Sequence, residues 1–215
     1  MIRIIVVATA VLVWPAWACA RPQTIGAQLA RGVAADVVIL SREGLTELMA
    51  ANRIAPGSDV DLAQVPIGVA IRAGAKKPQV GTIEAFKLLV TGAKTVAVPA
   101  STSGIFLVKE VFPRLGIADQ VNIKMTPRGT GAAEMVATGE AEIGLLPVSE
   151  ILHAHARGVE HAGTIPPDIQ LIQIFSAAVV AGSKDPDAAK KLIDFLASER
   201  AAPVIVKSGM EPLKR

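Results

Sequence analysis

Short apolar runs alternate with helix-length segments along most of the chain, and this alternation restricts the fold more than any other feature. Asp36 is followed by the unbroken run Val37-Val38-Ile39-Leu40, the pattern of a strand covered on both faces of a parallel sheet. A helix over 43–51 follows, with Ser41 as its N-cap. Residues 65–71 predict a strand whose start lies at an edge or a crossing, because Pro66 has no N–H to give a ladder. Thr82 caps a helix over 83–90 that Thr91-Gly92 ends, and 95–98 is a strand. Ile105, Val108, Phe112 and Leu115 share one helical face, and Pro113 shortens or kinks that helix. A strand over 121–125, a helix over 131–138 stopped by Gly139 and a strand over 141–146 repeat the pattern. Residues 150–163 read as an irregular connection, and 169–181 as one long strand. Asp185-Pro186 is an N-cap with a first-turn proline, opening a helix through Leu196. Such an order predicts an α/β fold with a mainly parallel sheet.

The N-terminus bears on the compartment. Met1-Ile2-Arg3 carries one positive charge, residues 4–13 are apolar, Trp14-Pro15 breaks the run, and Ala18-Cys19-Ala20 supplies small residues for cleavage. This is the three-part pattern of a secretory signal peptide over 1–20, and it predicts a periplasmic protein. The run is short of the ~20 apolar residues a membrane span needs. A buried first strand is the competing reading, since Ile4-Ile5-Val6-Val7 is also strand-like. The sole cysteine, Cys19, lies inside the signal, so the mature chain has no thiol for a disulfide, a nucleophile or a metal. The formal charge of +3 comes from dispersed residues, and there is no tyrosine. Single-stranded nucleic acids need aromatic platforms beside a basic groove, so no nucleic-acid partner is expected.

Two strand-to-helix turns are candidate anion sites. Ser101, Thr102 and Ser103 put three hydroxyls at a helix start, where free amides and the positive end of the helix dipole favour an anion. Capping alone would account for one of the three. The second turn, Thr126-Pro127-Arg128-Gly129-Thr130-Gly131, adds open amides and a charge at Arg128 but lacks the ending of a P-loop. His153, His155 and His161 form the only histidine cluster, and solvent-facing histidines are expected there in preference to a metal set. Ser103-Gly104 is not within Gly-x-Ser-x-Gly and no histidine is placed as its partner. An exported serine hydrolase or transferase is therefore the secondary reading. No cofactor is implied.

Read in order, several segments resemble the periplasmic molybdate-binding proteins of ABC transporters. They are Gly32-Val33-Ala34-Ala35-Asp36-Val37-Val38-Ile39, Ser103-Gly104-Ile105-Phe106-Leu107-Val108-Lys109-Glu110, Gly139-Glu140-Ala141-Glu142-Ile143-Gly144, Pro147-Val148-Ser149-Glu150 and Gly209-Met210-Glu211-Pro212. The resemblance runs from about Thr24 to Pro212. It implies a two-lobed type II periplasmic-binding fold, no catalysis, a monomer, and delivery of a molybdate- or tungstate-like oxyanion to a membrane permease. It also implies lobe one over 21–65 completed by 178–215, and lobe two over 66–177 with the strands that cross the hinge. Amide donors fall at Ser103 and Gly129. The family's tyrosine donor aligns with Pro147, and its second lobe-one serine with Gln23, beside Thr24. The family's first strand and helix, with the first serine, have no counterpart, so lobe one is expected to be truncated. A non-functional remnant is the third reading.

Overall fold

The computed structural model describes residues 4–5, 25–126 and 131–213. The chain divides into two compact units. Unit 1 comprises residues 1–63, 174–205 and 212–215, and unit 2 comprises 64–173 and 206–211.

The sheet of unit 2 has the order β6-β5-β7-β4-β8. Its strands are β4 (Ile67–Arg72), β5 (Val96–Pro99), β6 (Ile123–Thr126), β7 (Ile143–Pro147) and β8 (Val159–Thr164). β5 runs parallel to both β6 and β7, whereas β4 pairs antiparallel with β7 and β8. Alternate residues of these strands feed two separate cores. Ile67, Val69, Val96, Val98, Ile143 and Leu145 pack with Phe86, Leu107 and Phe112 on one face. Ala70, Ala97 and Leu146 meet Ala132, Ala133, Val136 and Ile151 on the other. The first face carries α3 (Ile83–Gly92), α4 (Thr102–Phe106) and α5 (Phe112–Arg114), with one π-helical stretch, Leu107–Val111, joining the last two. The second carries α6 (Gly131–Thr138) and α7 (Val148–His153). Its alanines let helix and sheet backbones approach closely.

In unit 1, Ile25, Leu29, Val38, Leu45, Leu48, Ile54, Ala178 and Val180 form the core. The sheet order is β1-β2-β9-β3-β10, from β1 (Ile4–Ile5), β2 (Val37–Ser41), β3 (Val60–Val65), β9 (Gln173–Val179) and β10 (Glu211–Pro212). The helices are α1 (Ile25–Ala30), α2 (Arg42–Ala50), α8 (Pro186–Leu196) and α9 (Ala202–Lys207). Ser41 accepts from Gly44 N and Asp185 from Ala188 N, so both expected caps form, as does Thr82 to Ala85 N in unit 2. Most of the expected signal segment lies outside the described residues. Ile4 and Ile5 are the exception: they pair in parallel with Val37 and Val38.

Three expectations need correction. Residues 150–163 are not an irregular connection: they hold most of α7, a 3₁₀ turn at His155–Arg157 and nearly all of β8. Val-Glu-His-Ala-Gly-Thr has no apolar run, and β8 exists because β4 offers it a backbone ladder, bulged between Val69 and Ala70. The long strand over 169–181 begins only at Gln173, after a 3₁₀ turn over Pro167–Ile169. Residues 65–71 are two strands, because Pro66 interrupts them.

Behind the end of β2, Arg42 bonds Asp59 at 2.7 Å and bridges Asp61, and the buried Ser176 donates to Asp61 at 2.6 Å. Burial pushes the Asp61 carboxyl up, but the Ser176 and Arg42 hydrogen bonds outweigh it and hold the group below its usual 3.8. A depressed carboxyl stabilises the fold above its unfolded value, and the contribution fades as pH falls through the folded one. Urea melts at pH 6 and pH 3 are therefore expected to show a smaller acid loss for Asp61→Asn than for the wild type.

Candidate functional site

Because β6, β5 and β7 are adjacent and parallel, their carboxyl ends open on one edge of unit 2. Three strand-to-helix turns meet there, the place where ligands sit in open α/β sheets. β5 leads through Ala100 and Ser101 into α4, β6 ends at Thr126 ahead of α6, and β7 ends at Pro147 and passes directly into α7.

The first turn is the best-built of the three. Ser101 is extended at φ −128° and ψ 179°, the conformation of an N-cap, yet its side chain makes no capping bond. Its hydroxyl lies 3.4 Å from that of Ser103, which is fully buried. First-turn amides have no intrahelical acceptor, so this helix start offers donors that capping has not consumed. Gly104 is required for steric reasons: a Cβ there would lie 1.9 Å from the Pro99 carbonyl oxygen. The Ala100 amide donates to Thr126 O at 2.8 Å, which ties the first turn to the end of β6.

Of the residues expected from sequence, Ser101, Thr102, Ser103 and Pro147 share this edge. Thr24, Arg128 and Gly129 lie outside the described residues. Pro147 is buried, pairs with Ile67 and contributes no capping bond to α7. Among the described residues, the hydroxyl contact made by Ser103 is the one to Ser101.

One group here was not singled out from sequence, and another departs from its expected exposure. Glu150, the third residue of α7, has a buried Oε2 with no hydrogen-bond partner, and burial pushes its carboxyl up to about 7. His161 on β8 is half-buried, not solvent-facing, and its Nε2 is also unpartnered. It lies over Gly68, where a Cβ would come within 2.8 Å of Nε2 and 2.9 Å of a Val148 methyl. Burial first, then Lys77, pushes this imidazole down, while a hydrogen bond to the Gly163 backbone opposes them. The Pro147-Val148-Ser149-Glu150 segment was the only signal in the sequence for the first of these.

A cavity of about 630 Å³ opens at the opposite edge of the same sheet, near Arg72, Lys76, Lys94, Glu140 and Glu142. It mixes both signs of charge and lies away from the helix starts.

The family profile described as bacterial extracellular solute-binding protein matches residues 17–211. A curated Pseudomonas protein named aconitate isomerase is 37% identical over 194 residues, covering 89% of this chain and 73% of its own. Among solved structures, the periplasmic molybdate-binding protein of Azotobacter vinelandii matches with a TM-score of 0.67 at 16% identity, covering 89% of this chain and 84% of its own. The sulfate-binding protein of Mycobacterium tuberculosis matches at 0.66 and 21%, covering 87% and 72%. At these identities the two structures establish the fold, the two-unit α/β type of periplasmic binding proteins. By its sequence, this chain belongs to the bacterial extracellular solute-binding protein family.

Proposed function

We propose that the chain captures a small, multiply charged anion at the carboxyl edge of β6, β5 and β7, and that a carboxylate fits it better than molybdate. The observation that carries this reading is the α4 start, where Ser101 is left uncapped beside the buried Ser103. By the sequence resemblance, Pro147 takes the position at which the molybdate binders present a tyrosine hydroxyl, so a tetrahedral oxyanion would lack one neutral donor. A hydrogen bond to a charged ligand contributes ~1.5–3 kcal/mol, so losing one lowers affinity at least about tenfold. The Pseudomonas relative adds a second argument, since aconitate carries three carboxylates on a short carbon chain. Export, hinge closure on the ligand and delivery to a permease complete the binding reading.

Calorimetric titration of the purified chain with aconitate, citrate, molybdate, tungstate and sulfate tests it. Carboxylate binding is expected at micromolar levels, with molybdate at least about tenfold weaker. Submicromolar molybdate or tungstate binding without a carboxylate response would overturn it. Ser101→Ala should shift stability by no more than about 0.5 kcal/mol, as its hydroxyl caps nothing. The same change should weaken ligand binding roughly tenfold.

The relative's name favours a second reading, in which the bound tricarboxylate is also isomerised. That reading needs a group able to move a proton beside the anion site.

A further inference from the structure

Glu150 follows Pro147 by three residues, so α7 sets it close to the edge that also carries Ser101 and Ser103. Nothing in the fold uses its Oε2, which is buried and unpaired. Burial is also the only cause of its raised pKa. The titratable groups on the elements packed against α7, namely Arg72 on β4, Glu160 and His161 on β8, and His155 and Arg157 in the 3₁₀ turn, are not among its causes. A buried carboxylate oxygen with no partner costs stability. Groups kept at such a cost, with pKa near neutrality, mark sites of proton transfer.

We propose that Glu150 is the acid–base group of an allylic isomerisation, in which this chain moves the double bond of an unsaturated tricarboxylate. The proposal rests on the second reading above. The ionised carboxylate takes a proton from the methylene carbon between the alkene and a carboxylate. The C–H bond breaks, an O–H bond forms on Glu150, and the electron pair spreads over the allylic system. The Glu150 O–H, whether or not exchanged with solvent, then delivers a proton to the former vinylic carbon, which closes the double bond at its new position and restores the carboxylate. No oxidant, reductant or second substrate enters. Hydroxyls and first-turn amides at Ser101–Ser103 would hold the carboxylates that carry the developing charge.

Proton NMR of the full chain with trans-aconitate in D₂O tests this. Wild-type protein is expected to exchange the methylene protons and form the cis isomer, with kcat/KM rising with pH and levelling above about 7. E150Q should lose isomerisation and exchange by at least about a hundredfold, with the aconitate Kd changed less than about threefold. Its Tm should exceed that of the wild type at pH 8, because glutamine removes a buried charge; a structural role would lower it. If E150Q isomerises at the wild-type rate, Glu150 is not the proton carrier, while the isomerase reading stands. If wild-type protein binds aconitate without exchange or turnover, both the isomerase reading and this proposal fall.

Discussion

Gly104→Ala is expected to destabilise unit 2 by about 3 kcal/mol or more and to abolish anion binding. The methyl group would lie 1.9 Å from the Pro99 carbonyl oxygen, 3.0 Å from its carbon and 3.2 Å from its nitrogen. All three are backbone atoms of a fully buried strand end, so no flexible side chain can yield. Either β5 or α4 must move, and both set the positions of Ser101 and Ser103. Chemical denaturation with a parallel titration checks the expectation: stability and binding should fall together. Wild-type affinity in a folded Gly104→Ala protein would show that the anion lies elsewhere.

The second large effect is expected at Gln170. Its side chain does the work of a strand residue. Oε1 accepts from Ile67 N at 2.7 Å and from Leu171 N at 3.1 Å, while Nε2 donates to Ile67 O at 3.0 Å and Ile165 O at 3.2 Å. It thereby ties the chain just after one passage between the units, at Ala63–Gln64, to the chain just before another, at Gln173–Ile174. Ile67 is fully buried, and its N–H donates to the Gln170 side chain. Gln170→Leu removes all four bonds at similar volume and strands that donor. An orphaned buried backbone group costs ~1–3 kcal/mol, and the other lost bonds bring the expected total to about 3–4 kcal/mol. Gln170→Glu should recover part of this at acidic pH, where a protonated carboxyl can both donate and accept. A Gln170→Leu melt indistinguishable from that of the wild type would remove Gln170 from this role.

Much of the fold was legible because local chemistry settles it. The caps at Ser41, Thr82 and Asp185 depend on residues within three positions of one another, and each forms where the sequence places it. The apolar runs at Val37–Ser41 and Ile143–Pro147 are buried enough to be recognised as strands without knowing their partners. The Ser101-Thr102-Ser103 turn was legible for the same reason, since hydroxyls at a helix start have a local meaning. β8 was not: its half-polar sequence becomes a strand only because β4 stands beside it. Glu150 was missed likewise, as a glutamate in the first turn of a helix looks like ordinary dipole compensation.

Sequence alone therefore settled the α/β class, most helix ends, the hydroxyl-rich turn and, by similarity, the family. Only the tertiary structure decided that the β5, β6 and β7 turns share one edge, that Ser101 is uncapped, and that Gln170 stands in for a strand residue. It alone showed the Oε2 of Glu150 buried without a partner. The physical reason is range. Caps and apolar periodicity act over a few residues, whereas burial, desolvation and ladder pairing depend on atoms brought together from distant parts of the chain, as Ile67 and Gln170 are across 103 positions.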